Sequence, residues 1–171
     1  MKVALVSLNQ SWEDKEANRL KVRNCFQTIA FRNMDLVIFP EMTLTGFTMN
    51  VKEHAEEAEN SATIRFFTDC ACQYGVYIGF GMILKAGIKA ANHFIIVSPE
   101  GEMCADYIKI HPFSYAGEDR FYEKGKHLTS LEIQGVPIGL SICYDLRFPE
   151  IFQALSRTDK LILNIANWPE R

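Results

Sequence analysis

The chain has no block of basic residues. Its 18 Lys and Arg are scattered and outnumbered by 21 Asp and Glu, for a formal net charge of −3. That balance argues against nucleic acid and against an anionic membrane surface as partners. No apolar run approaches the roughly 20 residues that a membrane-spanning helix needs. The opening Met-Lys-Val-Ala-Leu-Val-Ser-Leu turns polar at Asn9-Gln10-Ser11. It lacks the longer apolar region and small-residue cleavage site of a signal peptide, and reads as a first strand. Paired CxxC motifs are missing too: Cys25, Cys70, Cys72, Cys104 and Cys143 form no compact framework. An odd count without a signal peptide implies reduced thiols in a cytoplasmic protein. The close pair Cys70-Ala-Cys72 does not have the spacing of the usual zinc sites, so no metal is expected. Without an internal repeat, low-complexity tract or linker, residues 1–171 read as a single domain.

What is present is core-forming. Hydrophobic residues make up 48% and aromatics 12% of 171 residues, which excludes disorder and suffices for a sizeable core. Residues 2–8 read as a buried strand. Ser11-x-x-Asp14 resembles a capping box. Leu20, Val22, Cys25, Phe26, Ile29 and Ala30 then recur at near-helical spacing, predicting a helix from Glu13 to Arg32. Asp35 to Phe39 is a second buried strand, stopped by Pro40. Asn60-Ser61 caps a second helix with Ile64, Phe67, Ala71 and Tyr74 on one face, and Gly75 closes it. Val76–Leu84, Asn92–Ser98 and Met103–Ile110 form an antiparallel meander. Gly79 and Gly81 mark places where something packs closely against the backbone. Leu128–Ile133 and Val136–Cys143 form a hairpin around Gln134-Gly135. A helix over 147–156 carries Phe148, Ile151, Phe152 and Leu155 on one face, and Lys160–Ala166 is the last strand.

Three strand ends carry reactive side chains. The run Val136–Ile142 stops abruptly at Cys143, ahead of a polar turn and a helix. A cysteine in such an elbow has free backbone N–H groups beside it, which favour a thiolate and can bind an oxyanion. They are expected to lower the thiol from its ordinary pKa of about 8.5. The alternative is a buried cysteine acting as a small hydrophobe. Glu41 follows Pro40 at the rim where α/β proteins bind ligands, in a loop whose Met42, Leu44 and Phe47 predict packing rather than solvation. Lys109 ends the meander among apolar neighbours and needs a carboxylate partner unless it snorkels to water. Glu118, in the following loop, is either an acid partner for a cation or a solvated side chain. If the strands are neighbours, carboxylate, ammonium and thiol converge. Glu41 then takes the thiol proton as general base, and Lys109 stabilises the oxyanion together with the N–H of Tyr144. Water activated by Glu41 hydrolyses the thioester. A Cys/His pair is the rival arrangement. Of His54, His93, His111 and His127, only His111 lies at a comparable strand end.

Five blocks resemble the nitrilase superfamily of carbon–nitrogen hydrolases. They are Phe-Pro-Glu-Met-Thr-Leu-Thr-Gly-Phe at 39–47, Lys109-Ile-His-Pro-Phe, Gly-Glu118-Asp-Arg-Phe-Tyr-x-x-Gly, Ile-Cys143-Tyr-Asp-Leu-Arg-Phe-Pro-Glu, and Ala-Asn-Trp-Pro-x-Arg171. The resemblance runs along the whole chain. It implies an α/β fold, an α-β-β-α sandwich with mixed sheets, and a cofactor-free thiol amidase. Glu41 would be the base, Lys109 the oxyanion stabiliser, Cys143 the nucleophile, and Glu118 a second active-site glutamate. The Phe-Ser-Tyr-Ala-Gly-Glu loop and the Ala-Asn-Trp-Pro exit look most like the omega-amidase branch. That branch hydrolyses the terminal amide of 2-oxo acids such as 2-oxoglutaramate and 2-oxosuccinamate, releasing ammonia. Arg147 is a candidate for a substrate carboxylate, and reads otherwise as an ion pair with Asp145 or Glu150. The resemblance also implies a homodimer. Family members continue past Asn-Trp-Pro, so the chain is expected to be an incomplete fragment that is marginally stable or self-associates. The competing function is a non-catalytic binding or assembly module. A metal hydrolase ranks last for want of a ligand cluster.

Overall fold

Alternation along the strands gives one sheet two apolar faces. The computed structural model describes residues 1–28 and 33–168. Its larger sheet runs β1 (Val3–Leu5), β2 (Leu36–Ile38), β3 (Tyr77–Ala86), β4 (Lys89–Val97), β5 (Met103–Ile108), with β6 (Tyr122–Glu123) also on β4. The first three strands are parallel, and β3, β4 and β5 form the expected antiparallel meander. On one face, Val37, Phe39, Ile78, Phe80 and Ile95 pack with Val22 and Phe26 of helix α1 (Lys15–Thr28). Phe67 and Ala71 of helix α3 (Ala62–Tyr74), which follows the single turn of α2 (Val51–His54), join the same cluster. On the other face, Leu36, Ile38, Phe94, Ile96 and Tyr107 pack with Ile138, Leu140, Ile142 and Leu163. Those belong to a second sheet of β7 (Ser130–Ile133), β8 (Val136–Ile142) and β9 (Leu161–Ile165). Helix α4 (Pro149–Leu155) lies against β8 closely enough that a Cβ on Gly139 would sit 3.0 Å from Leu155. The layers are therefore helix, sheet, sheet, helix.

Several boundaries differ from the sequence reading. Strand β1 is short, lies at a sheet edge and is only half-buried, with Leu5 76% exposed. Helix α1 begins at Lys15, and its cap is Asp14, whose Oδ1 accepts the Ala17 N–H at 2.9 Å. Ser11 does not cap it; its own N–H is held by Asn18 Oδ1 at 2.7 Å. The predicted extension of this helix through Ile29 and Ala30 to Arg32 lies outside the described residues. Ser61 caps α3 as expected, accepting the Ile64 N–H, and Gly75 closes it at φ 65°. Helix α4 starts only at Pro149, because residues Cys143–Arg147 form a 3-10 turn and Phe148 is the cap.

One half-buried carboxylate fastens the start of α1 to the start of α3. Glu56 accepts from Lys15 Nζ at 2.6 Å, Thr63 Oγ1 at 2.6 Å, Ser61 Oγ at 2.5 Å and the Thr63 N–H at 3.0 Å. Burial alone would raise its pKa, but these donors outweigh burial and hold it at about 2, below its ordinary 4.5. A depressed carboxyl stabilises the fold above its unfolded pKa, and that contribution is lost as pH falls through the folded value. Glu56→Gln is therefore expected to lose roughly 2–3 kcal/mol at neutral pH, with the deficit closing towards about pH 2. Urea denaturation of both proteins at the two pH values reads this directly. A constant deficit would show that Glu56 matters by shape and not by charge.

Candidate active site

The larger sheet delivers two of the reactive residues and the smaller sheet the third. Glu41 leaves β2 through Pro40 and enters a packed turn in which Met42, Thr43 and Leu44 are all buried. The turn presses on β3. A Cβ on Gly81 would lie 2.4 Å from Met42 N and 2.6 Å from Glu41 Cα. Gln10 holds the turn from the other side, its Nε2 donating to the carbonyls of Met42 at 2.8 Å and Thr43 at 3.0 Å. Because the atoms crowding Gly81 are backbone, they cannot give way as a side chain would. Gly81→Ala is expected to cost about 3 kcal/mol, lowering Tm by roughly 6–12 °C. A thermal melt within 2 °C of wild type would show that the turn can retreat.

Lys109, one residue past β5, is 1% exposed and Glu41 and Glu118 are 0% exposed. The Lys109 ammonium lies 3.0 Å from Glu41 Oε1 and 2.9 Å from Glu118 Oε2. Snorkelling is thus excluded, and Glu118 is an acid partner. Glu118 Oε2 also accepts the Phe113 N–H. Asn92 of β4 donates from Nδ2 to Glu41 Oε1 at 2.7 Å and to Glu118 Oε1 at 3.3 Å. Two carboxylates and one ammonium leave a net negative charge in a closed space. Burial opposes the Lys109 charge, but Glu41 and Glu118 outweigh it and hold the lysine above its ordinary value. Burial raises Glu41; Lys109 pulls it down and Glu118 pushes it further up, and the net direction is upward. Lysine therefore keeps its proton, and Glu41 binds a proton more readily than an ordinary glutamate.

Cys143 sits in the strand-to-helix elbow, buried, at φ 46°. That left-handed backbone is strained for a side chain with a Cβ. Met42, directly after Glu41, has the same φ of 46°, so both turns of the site carry such a residue. Asp145 fastens the elbow. Its Oδ2 accepts from Tyr107 Oη at 2.7 Å and the Ile142 N–H at 3.0 Å; its Oδ1 accepts from the His111 backbone at 2.9 Å. Tyr107 and His111 bracket Lys109, so one carboxylate ties the lysine's segment to the cysteine's. Around the thiol, a cavity of about 910 Å³ is lined by Gln10, Trp12, Phe47, Phe113, Tyr144 and Trp168, among others.

The expected lowering of the thiol pKa is overturned. Burial, then the Glu41 carboxylate facing it, push Cys143 up to about 12, and Lys109 only partly offsets them. The elbow's N–H groups do not make a resting thiolate in so enclosed a place. His111 does not serve the thiol either: its Nδ1 is 2.9 Å from Asp145 Oδ1 and its ring stacks on Phe148 at 3.6 Å. Arg147 forms no ion pair with Asp145 or Glu150 among the described residues; its guanidinium lies 5.9 Å from the Trp168 ring. Asn167 joins the site through its backbone N–H, 3.0 Å from Glu41 Oε2, and its Nδ2, 2.7 Å from Gln10 Oε1. Gln10, Asn92 and Asn167 are the parts that strand-end logic misses. The available signal is a polar pair, Asn92-His93, inside an otherwise apolar strand. Among the described residues, no group of three or more His, Cys, Asp or Glu could hold a metal ion. No helix among them is long and apolar enough to cross a membrane. Pro169 and Arg171 of the last sequence block lie outside the described residues.

A strained cysteine elbow thus faces a buried Glu–Lys–Glu cluster between two mixed sheets. The sequence pattern of the carbon-nitrogen hydrolase family matches residues 2–170, and the chain belongs to that family. It is 32% identical over 169 residues to omega-amidase YafV of Yersinia enterocolitica, covering 99% of this chain and 64% of that protein. Identity to 2-oxoglutaramate amidase of Bacillus subtilis is 28%, over 91% of this chain and 61% of that one. Among solved structures, XC1258 from Xanthomonas campestris superposes with a TM-score of 0.88 at 28% identity, covering 98% of this chain and 65% of that one. XC1258 is a CN-hydrolase superfamily protein with an arsenic adduct in its active site. The chain thus spans about 64% of the length of the first of these curated relatives.

Proposed function

We propose that the chain carries the chemistry of a thiol amidase that hydrolyses the terminal amide of a 2-oxo acid, with Cys143, Glu41 and Lys109 as catalytic residues. The observation that carries this reading is the buried Cys143 thiol beside a Glu41 carboxylate that Lys109 at 3.0 Å, Asn92 at 2.7 Å and the Asn167 N–H at 3.0 Å hold in place. Glu41 takes the thiol proton as sulfur attacks the amide carbon. Lys109 directs one ammonium hydrogen to Glu41 Oε1 at 3.0 Å and shares a second between Glu118 Oε1 at 3.1 Å and Oε2 at 2.9 Å, so that the third serves the oxyanion. The Tyr144 N–H is the second donor. When the C–N bond breaks, Glu41 passes its proton to the departing nitrogen and ammonia leaves. Water, deprotonated by Glu41, then attacks the thioester, and the proton returns to sulfur as the acid departs.

The omega-amide preference draws on the similarity to the Yersinia and Bacillus amidases. Five cysteines without a paired framework fit a reducing compartment, and the reading places the protein in the cytoplasm. It includes self-association as a homodimer or larger assembly, supported by exposed Leu146 and Trp168 near the elbow. Sedimentation velocity across a concentration series tests that, and a constant monomer overturns it. The functional test is ammonia release from two 2-oxo acid ω-amides, an aliphatic amide, a nitrile and an N-carbamoyl amino acid, beside Cys143→Ser. Turnover confined to the oxo-acid amides and lost in the variant supports the reading. A folded protein silent on every substrate favours a binding or assembly module.

A further inference from the structure

Asn92 is a buried residue of the site that the steps above do not use, and it is 1% exposed. It stands on the ladder rung beside Lys109, whose backbone N–H donates to the Asn92 carbonyl at 2.9 Å. Its amide faces two carboxylates, so chemistry fixes its orientation: NH2 towards Glu41 and Glu118, Oδ1 away. That Oδ1 has no hydrogen-bond partner among the described residues. A buried acceptor left unpaired costs stability, and an apolar residue of similar size would avoid the cost. The arrangement therefore asks for a function of the NH2 group.

Counting acceptor positions supplies one. A carboxylate oxygen has two lone-pair directions. Glu41 Oε1 already accepts from Asn92 Nδ2 at 2.7 Å and Lys109 Nζ at 3.0 Å. Oε2 accepts only the Asn167 N–H, at 3.0 Å, among the described residues. One place for a proton remains, and it is on Oε2. We propose that Asn92 is a positioning residue acting through Glu41: it completes the donor pair on Oε1, so that the Cys143 proton is received on Oε2 alone. Its other N–H, on Glu118, holds the two carboxylates at a separation that one lysine can serve. The proposal deepens the thiol-amidase reading and rests on it for Glu41 as the base.

Lys109, Glu118, the Cys143 thiol and the Tyr122 hydroxyl are the titratable groups that act on Glu41 from the surrounding elements. Lys109 is already bonded to both carboxylates, and none of these groups can replace the lost amide donors. Without Asn92, Glu41 should keep its proton to higher pH. The test is the pH dependence of Cys143 alkylation by iodoacetamide on the whole chain, followed by intact mass. Activation requires ionised Glu41, so the rate climbs along a Glu41 limb well below direct ionisation of the thiol. Asn92→Leu is expected to move that limb up by about one pH unit, with the rate recovering above it. Asn92→Asp, nearly isosteric, is expected to move it further by adding a third carboxyl, and carries the test should the leucine variant fail to melt cooperatively. A limb that stays in place while the rate falls equally at every pH means a merely structural asparagine, and overturns the proposal. A native chain in which Cys143 shows no Glu41-dependent reactivity brings down both this proposal and the amidase reading.

Discussion

Lys109→Met is expected to destabilise the fold by about 3–5 kcal/mol at neutral pH, because two buried carboxylates lose the ammonium that pairs with both. Methionine matches the aliphatic stem, so the packing against Phe47, 5.7 Å from the ammonium, changes little and the loss isolates charge. The deficit has a sign in pH. With the ammonium gone, Glu41 loses the one charge that pulled its proton affinity down and is held higher still by burial, so the variant gains on wild type as Glu41 takes up its proton on falling pH. Glu56→Gln also converges with wild type in acid, by the opposite route: there wild type loses an advantage, whereas here the variant sheds a penalty. Urea midpoints measured from neutral pH to about pH 4 distinguish the two. An unchanged deficit across that range would mean that the carboxylates had found water instead of protons.

Glu41→Gln is expected to slow adduct formation at Cys143 by about 10²–10⁴-fold, and Cys143→Ala to remove the adduct altogether. The glutamine cannot fit neutrally. Its carbonyl oxygen must face Asn92 and Lys109, which are both donors, so its NH2 faces the Asn167 N–H, a third donor. The variant therefore loses the proposed base and also loosens the exit from β9. Intact mass after exposure to an oxo-acid amide or a small electrophile, with peptide mapping, checks both effects. A Glu41→Gln chain labelled at the wild-type rate would show that some other group accepts the thiol proton.

Much of this site is legible along the chain because three of its parts sit where an apolar run is cut short. Pro40 stops β2 ahead of Glu41, Lys109 interrupts apolar neighbours, and the run before Cys143 ends in a polar turn. The flagged glycines are explained as well: Gly79 and Gly81 leave room for Ile38 and for the Glu41 turn. What stays hidden depends on who faces whom across sheets. Asp145 reads as one polar residue among several, and its four donors come from positions 107, 111 and 142. The upward push on the thiol is equally invisible, because it follows from burial and then from a glutamate far away in sequence. The start of α1 is misread because Ser11 and Asp14 are both capping residues, and only tertiary contacts give Ser11 to Asn18.

Cys143 belongs to one sheet and Glu41 and Lys109 to the other, with Ile142 and Leu140 wedged against Phe94 and Ile96 between them. The reactivity of Cys143 is thus a gauge of how faithfully the two layers stay in register. An expanded form that kept both sheets but let them slide would look intact by far-UV dichroism and be chemically silent. Loosening the seam with Leu140→Ala should blunt the thiol well before the strands dissolve. Screening for conditions or segments that restore labelling would then identify whatever clamps the layers together, without any substrate in hand.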